Sequence, residues 1–173
     1  MRLSWLAAFG LLSVTAGSQS IAERSEVAAC DTAEFHQFDF FTGDWDVYDM
    51  GSPVVTARNV VEPMLSGCAL REVHTQIDGM VGESISIYDK SRGVWHQTWV
   101  TNSGELILLE GGLVNGRMVL TAPMKEADGT VSLIRGSWWL EGNAVRQLAE
   151  RSTDQGKSWS QMWDIVFRPH AGS

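Results

Sequence analysis

The sequence predicts an all-β protein: one antiparallel up-and-down β-barrel of about ten strands, with a short N-terminal helix. Three observations support this prediction. Apolar and polar residues alternate in short runs from Asp44 onward. Turn residues separate these runs at intervals of roughly 10 to 13 residues. Several of the turns contain Asn-Gly or Asp-Gly, which supply the positive φ that tight hairpins require.

The first 22 residues are predicted to be a cleaved export signal. Arg2 precedes an apolar run from Leu3 to about Val14, and small-residue cleavage sites follow at Ala16 and Ala22. The run is shorter than the roughly 20 residues that a membrane helix needs, so we expect a periplasmic or secreted protein without stable membrane insertion. Lipidation at Cys30 within "VAAC" is the alternative, although charged residues separate this box from the apolar run.

A short helical segment is expected before the first strand. In "CDTAEFHQFDFF", Phe35, Phe38 and Phe41 recur at steps of three, and the pattern ends near Gly43. An amphipathic helix in this position would plug or cap the fold that follows.

The strands follow as successive hairpins of a single domain over residues 23–173. A meander of this kind leaves two edge strands unless it closes, and closure into a barrel removes both edges. The predicted turns lie at residues 51–53, 66–67, 78–79, 89–93, 102–104, 115–116, 128–129, 142–143 and 154–156.

Charge and cysteine content restrict the class of protein. The formal net charge of −8 disfavours nucleic acid and anionic lipid as partners. Cys30 and Cys68 allow one disulfide in an oxidising compartment, or two unpaired thiols with Cys68 buried in the core. No Cys-x-x-Cys spacing suggests a zinc or thioredoxin-like site.

Tryptophan and glutamine share predicted strand faces. Alternation places Trp95, Gln97 and Trp99 on one face, and a related pattern occurs at Gln147 with Ala149. If these faces point inward, indoles and carboxamides line a cavity for a small hydrophobic or aromatic molecule. The alternative is that the tryptophans are ordinary core. A third face of this kind is predicted for Trp159, Gln161 and Trp163.

Two charged pairs are candidates for chemistry. Glu72 and His74 share a strand face and form the minimum set for general acid–base catalysis. Arg146 and Glu150 also share a face and would hold a ligand carboxylate or carbonyl if they lay inside. Both pairs have an alternative interpretation as charges on the outer wall.

Metal and nucleotide chemistry lack sequence support. The four histidines show no paired metal-ligand spacing, and there is no G-x-S-x-G elbow or phosphate loop. We therefore expect no metal site. A haem held by one axial histidine, His74 or His96, needs no local motif and stays open.

Six motifs resemble a bacterial family of domains of unknown function with a lipocalin-like, calycin-type barrel. They are "FDFFTGDWDVYD", "GCALRE", "YDKSRGVWHQTWV", "LEGGL", "VRQLAERSTDQGKSW" and "WDIVFRP". The Phe-Asp-Phe-x-x-Gly-x-Trp segment at residues 38–45 is also similar to nitrobindin-like haem barrels. The resemblance implies an internal pocket. Where relatives often carry an aromatic residue this chain has Ala149, which would either widen the pocket or leave space that a neighbouring side chain fills.

These observations lead to three functional hypotheses. The first is an exported binding protein with Trp95, Trp99 and Trp163 as walls and Gln97, Gln147 and Arg146 as orienting groups. The second is an enzyme of the cyclase, isomerase or lyase kind that uses Glu72 and His74. The third is a haem-binding barrel.

Overall fold

The computed structural model describes residues 30–172, which form a closed barrel of ten antiparallel strands. Each strand pairs with the next along the chain, and the last pairs with the first, so the predicted fold class is confirmed. The predicted export signal lies outside the described residues. The strands are β1 Gly43–Asp49, β2 Val55–Met64, β3 Ala69–Gln76, β4 Val81–Asp89, β5 Val94–Thr101, β6 Leu106–Val114, β7 Arg117–Lys125, β8 Val131–Glu141, β9 Ala144–Ser152 and β10 Ser160–Pro169.

Turn chemistry and side-chain packing explain this topology. Between β6 and β7, Asn115 and Gly116 both have positive φ, at 51° and 78°, as a two-residue hairpin turn requires. The closing pair, β1 and β10, places Val47 opposite Phe167, and both side chains are fully buried. Closure therefore hydrogen-bonds the two strands that would otherwise be edges.

The predicted N-terminal helix consists of two short 3-10 turns, Ala33–His36 and Asp39–Phe41. Phe38 lies between the two turns, and Phe35, Phe38 and Phe41 are all buried. Among residues 30–172, no helix combines the length and apolarity that crossing a membrane requires.

The two turns form a cap over the end of the barrel at which β1 begins. Phe38 is completely buried and contacts Trp95 and Trp138 edge-on, with ring centroids 5.8 and 5.6 Å apart. Phe41 makes a similar contact with Phe167 at 5.1 Å. We call this the capped end, and its interior is a hydrophobic core in which aromatic and aliphatic side chains pack together.

A disulfide anchors the cap. Cys30 is bonded to Cys68, which follows the short 3-10 turn Leu65–Gly67 between β2 and β3. Of the two alternatives for the cysteines, the structure shows the disulfide. It links the segment that leads into the cap to the barrel wall.

The opposite end, at which β1 ends and β2 begins, has no covering helix within the described residues, and its inner face is unevenly buried. Strand pairing places Trp99, Ile107 and Ile165 on the inner face, yet each is only half-buried. Trp163 lies at this rim, opposite inward-facing Ala149, and 42% of its surface is exposed. The inner wall of this half is therefore less completely buried than that of the capped end, and we call it the open half.

Candidate ligand site inside the barrel

The barrel brings most of the predicted site residues to its interior. Their positions follow from strand alternation, since directly paired residues on neighbouring strands point to the same side of the sheet. Glu72, His74 and Gln97 are buried, whereas Trp99 and Gln147 are half-buried. The inward-facing predicted residues are Glu72, His74, Trp95, Gln97, Trp99, Gln147 and Trp163.

Arg146 and Glu150 lie on the outer wall, because Val145, Gln147 and Ala149 take the inner face of β9. Arg146 donates two hydrogen bonds to Asp164, at 2.8 and 2.6 Å, and stacks over Trp139. Glu150 accepts two hydrogen bonds from the Arg135 guanidinium, so the two predicted partners do not pair with each other. Their placement inside the barrel was wrong.

Gln161 also lies outside, which corrects the shared face predicted with Trp163. A β-bulge between these residues inserts an extra position into β10, so Gln161 opposes outward-facing Glu150 and Trp163 opposes inward-facing Ala149. The third Gln–Trp face therefore does not exist. Trp159 stacks on Arg135, a residue of the outer wall.

Trp95 belongs to the core of the cap. It is 1% exposed, and its Nε1 donates a hydrogen bond to Gln37 Oε1 at 3.1 Å. For this residue, the interpretation of tryptophan as ordinary core is confirmed. Trp99, four residues nearer the open end, is only half-buried.

A buried hydrogen-bond network holds Glu72 on the inner wall. Gln97 Nε2 donates to Ser84 Oγ at 3.3 Å and to Ser86 Oγ at 3.1 Å, and Ser84 Oγ donates to Glu72 Oε2 at 2.8 Å. Burial raises the pKa of Glu72 to about 7, against the opposing effect of the hydrogen bond from the Ser84 hydroxyl. This carboxyl therefore titrates near neutral pH.

His74 lies beside this network, on the same strand and face as Glu72. Its Nδ1 lies 3.0 Å from Asn59 Oδ1, and its ring meets Trp99 edge-on with centroids 6.1 Å apart. Burial lowers the pKa of His74, so the imidazole is neutral at neutral pH. We refer to Asn59, Glu72, His74, Ser84, Ser86 and Gln97 as the inner polar cluster.

Asn59 is the member of this cluster that sequence reasoning missed. Asn59 is fully buried on β2, directly opposite His74 on β3. Its Nδ2 has no hydrogen-bond partner. Buried polar atoms are nearly always paired, so an unpaired amide hydrogen marks an incomplete environment. The available signal was the alternation of "ARNVV", which places an asparagine on the same face as Ala57 and Val61.

Three inner tryptophans lie against glycines: Trp45 against Gly43, Trp99 against Gly82 and Trp138 against Gly136. A Cβ on Gly82 would lie 2.2 Å from the Trp99 ring, and a Cβ on Gly136 would lie 2.4 Å from the Trp138 ring. Each indole lies flat over the backbone of a glycine. Gly82 thereby allows Trp99 to face His74.

His96, the other histidine proposed for haem, lies on the outer wall. Its ring nitrogens lie 3.2 Å from Glu110 Oε1 and 2.9 Å from Thr98 Oγ1. It borders a groove outside the barrel that is also lined by Phe35, Tyr88 and the disulfide. His74 is therefore the one of the two histidines that faces the interior.

No known protein family model matches this chain, and no curated protein is similar to it. The closed ten-stranded antiparallel barrel is compatible with a calycin-like fold. Function has to be argued from the site itself.

Proposed function

We propose that this protein is exported and binds a small hydrophobic or aromatic molecule in the open half of its barrel. The supporting observation is an inner wall that combines half-buried apolar surface at Trp99, Ile107 and Ile165 with the buried inner polar cluster. Ligand pockets typically have this composition: mostly apolar lining with a few convergent polar groups. The unpaired Asn59 Nδ2 is a donor available to such a ligand.

Two further features support the rest of this proposal. The Cys30–Cys68 disulfide is typical of proteins in oxidising compartments, which supports a periplasmic or secreted location. The up-and-down topology supports a relation to calycin-type barrels, many of which enclose ligands.

Native mass spectrometry, with an absorbance spectrum, tests the proposal on protein purified from the exported fraction of its own host. We expect a reproducible adduct that is released on denaturation. A Soret band would instead indicate haem, with His74 as the axial candidate. Protein without any adduct, and without affinity for aromatic probes, would contradict the binding function.

Two tryptophan substitutions, one on the inner wall and one on the outer wall, test where the ligand binds. Trp99→Ala should weaken the affinity for the identified ligand at least tenfold, because it removes apolar wall next to the inner polar cluster. Trp139→Ala is the matched control, since Trp139 lies on the outer wall between Arg117 and Arg146. Equal affinities for the two variants would exclude the open half as the site.

A second function, acid–base catalysis, is favoured by one observation at the same site. Glu72 titrates near neutral pH and neighbouring His74 is held neutral, so one group can donate a proton and the other can accept one. A cyclase, isomerase or lyase would use such a pair. Glu72→Gln should then abolish turnover of a compound that still binds, and unchanged turnover would exclude this role.

A further inference from the structure

The hydrogen bonds within the inner polar cluster determine which atoms are left for a ligand. Asn59 Oδ1 can only accept, so the bond to His74 requires the proton on Nδ1 and leaves Nε2 of the neutral ring as an acceptor. Asn59 Nδ2 lies on the other branch of this amide and has no hydrogen-bond partner among the described residues. This places an unpaired donor and a free acceptor at neighbouring residues.

The same reasoning orients Glu72. Gln97 Nε2 can only donate, so Ser84 Oγ accepts from it and turns its own proton toward Glu72 Oε2. Within residues 30–172, no hydrogen bond reaches Glu72 Oε1. When Glu72 is protonated its proton therefore resides on Oε1, and when it is ionised that oxygen carries a buried negative charge without a hydrogen-bond donor.

The negative charge of ionised Glu72 disfavours the binding of anionic ligands at the inner polar cluster. A second carboxylate next to Glu72 would force one of the two groups to take up a proton. Arg151, which faces the interior from β9, is ion-paired with Glu126 at 3.4 Å, and its buried Nε has no hydrogen-bond partner. The cluster thus offers one neutral donor and one neutral acceptor beside the edge of the Trp99 indole.

We propose, building on the binding function above, that the ligand is an uncharged, flat molecule with a hydrogen-bond acceptor next to a donor, as in a lactam or a carboxamide. Asn59 Nδ2 donates to the carbonyl oxygen, and His74 Nε2 accepts from the adjacent N–H. Trp99 packs against the apolar body. Asn59 is the specificity-determining residue of the site.

Four bicyclic probes of nearly equal shape test this assignment. Oxindole carries both groups, 2-indanone keeps the acceptor alone, indane has neither, and indane-2-carboxylate is anionic. Dissociation constants come from NMR titrations that follow the indole N–H signals. We expect affinity to fall about tenfold from oxindole to 2-indanone and again to indane, because each step leaves a buried polar group unpaired. The carboxylate should bind most weakly.

Asn59→Leu separates recognition from packing. We expect it to weaken oxindole at least tenfold and to leave indane unchanged, with Asn143→Leu in the exposed β8–β9 turn as the control. An equal loss of affinity for oxindole and indane would show that Asn59 has only a structural role. If the variant does not fold, the probe series on the native protein decides alone.

The outcomes distinguish the two proposals. Binding of indane or the carboxylate as tightly as oxindole would overturn the assignment of ligand class and leave the binding function standing. Failure of all four probes to bind would contradict the binding function itself.

Discussion

At the scale of single residues, burial decides what Glu72 and its neighbours can do. A carboxyl on an exposed strand would titrate near 4.5, whereas desolvation inside the barrel raises the pKa of Glu72 to about 7. Its strand neighbour His74 is shifted in the opposite sense, because desolvation disfavours the charged form of each group. A pair of ordinary surface residue types thereby becomes a neutral acid beside a neutral base.

The Glu72 shift predicts a pH dependence of stability. Between pH 4.5 and about 7 the folded state keeps a proton that the unfolded state has lost, so the free energy of unfolding falls as the pH rises through this window. The full loss amounts to about 3 kcal/mol. Glu72→Gln should remove this decline, as measured by urea unfolding at pH 5 and pH 8.

Glu62→Gln, at an exposed position of β2, is the matched control and should keep the native pH profile. The comparison is made between variants because His74, whose pKa is lowered, contributes the opposite slope below pH 6.5. A Glu72→Gln profile parallel to that of the native protein would show that the carboxyl is not desolvated.

The packing of Trp99 against Gly82 leads to a second prediction at the scale of single residues. Gly82→Ala places a methyl group 2.2 Å from the Trp99 ring, so the indole must move away from His74. We expect a loss of about 1–3 kcal/mol, typical of overpacking, in denaturant unfolding. Gly112→Ala, on β6 with no atom within 4 Å of the added carbon, should be nearly neutral. Equal effects of the two substitutions would contradict this packing.

At the scale of elements, the cap and the bulge in β10 set the two halves of the interior. The cap fills one half with Phe38 and Phe41, and the disulfide holds its leading segment to the β2–β3 connection. The bulge turns Gln161 outward and Trp163 inward at the open rim. Each element therefore changes which side chains face the interior.

Removing the disulfide should loosen the cap and spare the barrel. The Cys30→Ser, Cys68→Ser double variant loses a cross-link between residues 38 positions apart, which contributes roughly 2–4 kcal/mol through the entropy of the unfolded chain. We expect unfolding at lower denaturant, unchanged strand content by circular dichroism, and faster exchange of the Phe41 amide, which bonds Phe38 O. Unchanged stability would show that the cap needs no anchor.

At the scale of the whole molecule, closure gives all ten strands two neighbours. The pairing of β1 with β10 spans nearly the entire described chain and protects the backbone groups of both strands. We expect amide exchange in Val47 and Phe167 to be as slow as in the central strands β4 and β5. Edge-like exchange rates in β1 or β10 would indicate an open sheet.

The sequence by itself determined the class of fold and the identity of several inner residues. Alternation and hairpin turns act between neighbouring residues, so the strands, the barrel, and the Trp95–Gln97–Trp99 face could be predicted from them. Because these signals act only between neighbouring residues, they do not predict how the faces of the strands are arranged in three dimensions. Alternation tells which residues share a face and not which face is inside, so Arg146 and Glu150 were placed on the wrong side.

Only the tertiary structure decided how these faces combine. The bulge that separates Gln161 from Trp163 is one extra residue whose effect depends on its partner strand. The meeting of Asn59 with His74 depends on the register of β2 against β3, and that of Ser84 with Glu72 depends on β3 against β4. Residues far apart in the chain become one site because register, set by packing of the whole barrel, brings them opposite each other.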